Sequence, residues 1–440
     1  MPVTDAATPV RIDLWELAER AWNGELDLTH EHHPVHRRYE GWCELADGLL
    51  AIKSLAGIYV IDSGDGLVML DAGTIIDVDD VYSSVRHWRP DTPVAACVFS
   101  HHHVDHIFAV RAFDDETSER GWPRPTVYAH ELLAGHFDRY LRTLGWNTAI
   151  NRRQFALNMP QFRWPDAYRY PDVVYRDRLT FSRGDLTFDL HHGRGETDDH
   201  TWTWIPQRRT LATGDLFIYA VPNAGNPQKV QRYVSDWADA LRQMAGLEPE
   251  LLLSGHGLPI RGAARINDAL LTTAELLQSV EDQTLALMNE GRSLDQVLHA
   301  VEIPDHLLER PFLRPVYDDP SFLVRMVWRR YGGWWDGEFD TLLPAPRCDL
   351  ASEWIALAGG LPTVLDRAAD LAGSGDLKLA CHLVEAARHA APDDAAVHEL
   401  RAQLYRANAA EQTSSMARNI LGHAALASDE GKRDLAGQGG

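Results

Sequence analysis

The sequence predicts an α+β fold: a mixed β-sheet covered by helices, followed by an all-α C-terminal part. Three observations carry this expectation. Short β-branched runs bounded by Gly, Pro and Asp turn signals recur between Leu49 and Ser254, with helical periodicities between them. After Pro259 the texture turns into Ala-, Leu- and Glu-rich helix, over 264–289 and again over 360–418. Metal-capable side chains cluster just past several of the strand-like runs, where a rigid scaffold presents ligands.

Taken in order, residues 1–45 read as an N-terminal extension with a short helix at Leu14–Trp22 and a His-rich stretch, Thr29–His36, expected to be a solvated loop. Residues 46–265 read as the sheet-containing domain. Gly57–Asp62 and Leu67–Gly73 are strands joined by the Ser63-Gly-Asp-Gly66 turn. A helix is expected at Val78–Trp88, strands at Val94–Ser100 and Thr126–Ala129, and a Gly-Asp hairpin within Leu179–Leu190. Thr201–Ile205 and Thr210–Thr213 flank the Pro206–Arg209 turn, and Leu251–Ser254 is the last apolar run. The aromatic stretch Phe155–Tyr175 fits a lid over an apolar substrate or a packed loop equally well. Residues 266–427 read as a helical domain, whose helix pairs resemble a tetratricopeptide-style stack without a clean 34-residue repeat. Residues 428–440 are small and polar and are expected to be a disordered tail.

The 440 residues are 45% apolar, enough for a sizeable core. A net charge of −22 argues against nucleic acid and anionic membranes as partners. The four cysteines are scattered with no C-x-x-C pair, as in a reducing compartment. The first residues lack a basic stretch followed by an apolar one, and no run approaches the roughly 18 apolar residues of a membrane span. A cytoplasmic location is expected.

The chemistry concentrates in Ser100-His-His-His-Val-Asp-His106, an H-x-H-x-D-H pattern of His101, His103, Asp105 and His106. Imidazole and carboxylate are ligands for zinc and similar metals. Six residues cannot place all four side chains on one ion, so the spacing suits a pair: His101 and His103 on the first, Asp105 and His106 on the second. Further candidates follow at strand ends: Gly195-Glu-Thr-Asp-Asp-His200, Thr213-Gly-Asp215 and Ser254-Gly-His-Gly257.

This order of motifs resembles the metallo-β-lactamase superfamily, which implies an αβ/βα sandwich and a two-metal site at the strand edges. Carried over, the resemblance places His101, His103 and Glu196 on one divalent ion and Asp105, His106 and His256 on the other, with Asp215 bridging. Zinc is the expected metal. Asp71, in Leu70-Asp-Ala-Gly73, matches the family aspartate that orients a ligand imidazole. Most of the superfamily has His where this chain has Glu196. The alkyl sulfatases have Glu there, with the bridging carboxylate nineteen residues later, as Asp215 is here. Tyr331-Gly-Gly-Trp-Trp-Asp-Gly337, Leu342-Leu-Pro344 and Met416–Gly422 resemble that branch's dimerisation domain. The resemblance implies a homodimer and hydrolysis, through a metal-bound hydroxide, of a small ester with an apolar part such as an alkyl sulfate. Asp105, Asp215 and Asn223 are the expected catalytic residues.

The chain departs from the branch in Pro222-Asn-Ala-Gly-Asn-Pro-Gln-Lys229. Asn223 matches, Pro222 replaces a His that assists the leaving group, and Gln228-Lys229 stands where an Arg would hold sulfate. Lys lacks the planar two-pronged donor of Arg. Lys229, Arg194 and Arg232 are the candidate anion contacts, and His200 is the alternative ligand to Glu196. Two competing readings follow: a hydrolase of another ester, lactone, thioester or phosphodiester on the same metals, or a non-catalytic metal-containing binding protein.

Overall fold

The computed structural model describes residues 10–29, 32–36 and 41–436. The strands are β1 (Gly41–Ala46), β2 (Leu49–Lys53), β3 (Gly57–Asp62), β4 (Leu67–Leu70), β5 (Val94–Val98), β6 (Thr126–His130), β7 (Val173–Tyr175), β8 (Arg178–Arg183), β9 (Leu186–His192), β10 (Thr201–Ile205), β11 (Thr210–Gly214), β12 (Leu251–Ser254) and β13 (Ile260–Arg261). They form two sheets, β1 to β7 in sequence order and β13-β12-β11-β10-β9-β8. In the first sheet β1 to β4 pair antiparallel and β4 to β7 parallel. In the second, only β11–β12 is parallel.

Alternation along the strands explains the layering. Tyr59, Ile61, Val68 and Leu70 share one core with Phe188, Leu190, Trp202 and Trp204 of the second sheet. Their neighbours Ile58, Val60, Leu67 and Met69 form a second core with Val81, Val85, Phe113 and Phe137. Side chains alternate between faces, so β3 and β4 must be apolar at nearly every position to bury both. Helices Val78–Trp88, Val110–Arg120 and Leu133–Arg142 supply the second core. Helices Val234–Ala245 and Ala263–Asn289 extend the first.

Three expected boundaries differ. Before residue 46, two described elements are built into the sandwich: β1 edges the first sheet, and Leu14, Ala18 and Ala21 of helix Leu14–Trp22 enter the main core; residues 1–9 and 37–40 lie outside the described residues. That core also runs past residue 265 through Leu323, Val327 and Trp328, so helix Ala263–Asn289 packs as part of the sandwich. A separate small core of Ala368, Ala380, Cys381, Val384 and Leu404 holds the last helices together. The tail is not frayed at Ser428. Helix Ser415–Asp429 passes through it, Leu435 and Ala436 are buried, and Asp434 pairs with Arg153 and His423. Residues 437–440 lie outside the described residues.

The His-rich stretch is not solvated where it is described: His33 and Val35 are buried, and Val35 packs with Ile218, Ala220 and Val316. His30 and Glu31 lie outside the described residues. The aromatic stretch 155–175 packs on helix Leu133–Arg142, with Tyr168 stacked 4.6 Å from Phe137 and Trp164 5.3 Å from Tyr140. Among the described residues no helix is long and apolar enough to cross a membrane.

Candidate metal centre

Five strand ends build the site. His101–His106 follow β5, Asp71 follows β4, Glu196 lies in the β9–β10 turn, Asp215 follows β11 and His256 follows β12. The sheets are tied at this edge, where the Thr201 N–H donates to the Ser100 carbonyl. Two glycines permit the close approach. A Cβ on Gly214 would lie 2.5 Å from Ser100 Cβ, and one on Gly255 would lie 2.2 Å from Asp215 Oδ1.

Two ligand groups result. His101, His103, Glu196 and Asp215 bring one donor atom each within 4.8 Å of the others, as do Asp105, His106 and His256. Asp215 stands between them. Its Oδ2 lies 3.9 Å from His101 Nε2 and 3.3 Å from His256 Nε2, and its Oδ1 lies 3.4 Å from His106 Nε2. Asp105 Oδ2 lies 3.3 Å from His256 Nε2.

The donor set fits divalent cations. His106 Nε2, Glu196 Oε2 and Asp215 Oδ1 are buried without a hydrogen-bond partner, a costly arrangement unless a cation meets them. Burial, then neighbouring imidazoles, holds His101 and His103 well below the ordinary imidazole range. They are therefore in the neutral form that ligates metal. Against burial, Asp215 and the other carboxylates pull His106 upward and His256 up to about 10.

Several donors are aimed by a second contact. Asp71 Oδ1 accepts the Ser100 N–H at 2.7 Å and Oδ2 accepts His106 Nδ1–H at 2.8 Å, leaving Nε2 toward the site. Asp71 adopts φ 62°, unusual for a residue with a side chain and found where a site constrains the backbone. The His256 Nδ1–H donates to the Leu55 carbonyl at 2.9 Å. Asp71→Asn should weaken metal binding about 10–100-fold by disturbing the His106 tautomer. Competition with a chromophoric chelator measures this, and an unchanged affinity would show that His106 needs no such anchor.

Glu196 is held by two residues expected to face substrate. Asn223 Nδ2 donates to Glu196 Oε1 at 2.6 Å, and Arg232 Nη1 donates to the same oxygen and to the Asn223 carbonyl. Asn223 and Arg232 thus act as positioning groups, and Arg232, 1% exposed, is not an open anion contact. Burial pushes Glu196 up to about 8 against the pull of Arg232. Arg194 is not brought to the site: its half-exposed guanidinium pairs with Asp236 at 2.7 Å. Gln228 turns away, donating to the Ile150 carbonyl. Of the three candidate cations, Lys229 alone has no carboxylate partner among the described residues, while Glu196 and Asp105 act on it electrostatically. Its Nζ donates to Asn151 Oδ1 at 3.2 Å and sits 5.7 Å over the Trp164 ring. His200 Nε2 accepts the Asp215 N–H at 3.0 Å, so it supports the Asp215 turn while Glu196 joins the ligand group.

Two features escaped sequence reasoning. Tyr317 stacks 6.4 Å from His256 and 5.6 Å from His36, and no local motif marks it. His102, His136 and Asp199 form a third convergent group. There the Asp199 carboxylate holds the His102 ring and backbone N–H, and Arg139 Nη2 donates to His102 Nε2 at 3.1 Å. A guanidinium therefore stands where a cation would bind, and the group braces the H-x-H loop.

The metallo-beta-lactamase superfamily model matches residues 57–256 and the alkyl sulfatase dimerisation model residues 293–431. A linear primary-alkylsulfatase of Pseudomonas sp. (strain ATCC 19151) is 26% identical over 366 residues, 79% of this chain and 69% of that one. An (R)-specific secondary-alkylsulfatase of Pseudomonas sp. is 25% identical over 95% of this chain and 64% of its own. The chain thus spans about two thirds of the length of these relatives. The solved structure of the stereoselective inverting sec-alkylsulfatase Pisa1 from Pseudomonas sp. shares the fold, with a TM-score of 0.80 at 21% identity over 89% of this chain and 66% of that one. With both models matched in tandem on a sandwich whose five strand ends converge on one ligand cluster, this chain carries a metallo-beta-lactamase fold followed by an alkyl sulfatase dimerisation domain and is similar to the alkylsulfatases.

Proposed function

We propose that this chain is a two-metal hydrolase of sulfate esters of apolar alcohols, with zinc as the metal. The observation that carries the reading is Glu196 in the ligand group, clamped by Asn223 and Arg232. Glutamate at this position resembles the alkyl sulfatases, and the relatives' names point to the same substrates. His101, His103 and Glu196 would hold one ion, Asp105, His106 and His256 the other, and Asp215 both. Bound there, such ions lower the pKa of water and polarise an ester oxygen.

The chain's own residues shape the rest. Lys229 supplies the cation for an anionic headgroup, as a point charge in place of a fork. Burial, then Arg232, pushes its ammonium down to about 7. The charged form persists below that pH and is lost above it. KM for an alkyl sulfate should therefore rise above pH 7 while kcat changes less, and Lys229→Arg should flatten the profile. A KM independent of pH in the native enzyme would remove Lys229 from the headgroup site.

Release of inorganic sulfate from a medium-chain alkyl sulfate, set against lactones, thioesters and phosphodiesters, tests the substrate class. Pro222 and Lys229, where the branch has His and Arg, favour the second reading, a different ester on the same metals. Turnover of another ester without sulfate release would establish it, and inactivity on the whole panel would favour a binding role. The proposed homodimer is supported by four exposed apolar side chains, Trp334, Phe339, Leu343 and Leu357, 74–90% accessible. Of the Trp328–Trp335 stretch, Trp328 belongs instead to the monomer core. Four free cysteines support a reducing, cytoplasmic setting.

A further inference from the structure

A cavity of about 710 Å³ lies between the C-terminal helices and Arg153, and none of the candidate metal ligands lines it. Its volume falls within the range of small-molecule sites. Five guanidiniums line it, those of Arg153, Arg347, Arg388, Arg401 and Arg433, against two carboxylates, Glu385 and Asp434. That excess is notable in a chain of net charge −22.

The carboxylates are already spent. Glu385 takes Arg388 at 2.9 Å and Arg401 at 2.6 Å, and Asp434 takes Arg153 at 2.7 Å and His423 at 3.0 Å. Among the described residues, Arg347 and Arg433 have no ion-pair partner. Both bear on the same spot as Arg388: burial, then Arg388, then Arg347 and Arg433 hold the His389 imidazole below its ordinary range. The rest of the wall is mixed: His382, His389, His423 and Tyr405 stand beside an apolar strip that includes Leu350, Trp354 and Ile420. Leu350 and Trp354 are 40% and 55% exposed.

Two unpaired cations in a cavity that also offers an apolar strip define a ligand chemistry. We propose that this cavity binds an amphipathic organic anion. Its carboxylate or sulfate group sits among Arg347, Arg388 and Arg433, and its aliphatic body lies along Trp354, Leu350 and Ile420. Arg388 and Arg401 are fixed by Glu385 beforehand, so little ordering is lost on binding, and Arg347 and Arg433 close on the ligand's charge.

Isothermal titration of the intact, metal-loaded protein with decanoate and with decane-1-sulfonate, below their micelle concentrations, tests this and separates the two headgroups. Saturable one-to-one binding of at least one is expected, weakened at least tenfold by Arg347→Ala/Arg433→Ala. The same binding should survive in His106→Ala, which separates it from anion binding at the metal centre. Decanol and inorganic sulfate should each bind at least tenfold more weakly than the amphiphile. Affinity unchanged in the double variant, or lost in His106→Ala, would overturn the proposal. So would binding that scales inversely with protein concentration, because a second copy of the chain would then be the occupant.

Discussion

Glu196→Ala is expected to abolish metal loading and hydrolysis together. Glu196 contributes one of four donors to the first ligand group, and its Oε2 is buried with no other partner. Losing a ligand should cost more than the roughly 10–100-fold seen when an outer partner is lost. A drop of at least about 1,000-fold in kcat/KM, with sub-stoichiometric metal by elemental analysis, is the expected result. Glu196→Gln separates chemistry from folding, because an amide oxygen can still accept from Asn223 and Arg232 while the charge on the metal side is gone. It should keep its fold, at some loss of stability because buried Arg232 then faces a neutral amide, and still lose metal. Full activity in either variant would rule Glu196 out as a ligand and return attention to His200.

Arg232→Ala should be the most destabilising single change around the site. The guanidinium is fully buried, and its Nη1 serves both Glu196 and the Asn223 carbonyl. Removing one partner of a buried pair leaves the other charge without compensation, at about 3–5 kcal/mol. Urea unfolding of metal-depleted protein above pH 8, where Glu196 carries its charge, reads this without the added stability of bound metal. The double variant Arg232→Ala/Glu196→Ala should be less destabilised than the sum of the single changes, because each residue then no longer strands the other. Additive losses would mean that Arg232 is merely packed there. Restoration by Arg232→Lys should be partial, since one ammonium cannot hold a side-chain oxygen and a carbonyl at the fork's geometry.

The two positions also explain a division of labour at this edge. Glu196 shares its charge with Arg232, so it is a weaker donor than a free carboxylate. Asp215, which Arg232 does not touch, is held well below the usual carboxylate range, against its burial, by His256 and His106. The electrostatic weight of the centre therefore rests on Asp215, between the two ligand groups.

The sandwich and its candidate metal donors were legible in the sequence because their signals are local. Val78–Trp88, Gly57–Asp62 and Thr201–Ile205 carry their periodicity within one element, and the structure places them at those bounds. His101–His106, Glu196, Asp215 and His256 sit on short turns after apolar runs, and each turn can be read without knowing its neighbours. What could not be read that way depends on which segments meet. Arg232 and Arg194 are both arginines near the site in sequence, yet one is buried on Glu196 and the other pairs with Asp236. The same holds for the His-rich stretch, whose composition is that of a solvated loop until Ile218 and Val316 close over Val35. Candidate donors thus came from residue type and their place after apolar runs, and the resemblance chose among them, while the partners that aim each side chain came from long-range packing, since a side chain's electrostatic role is set by the charge opposite it.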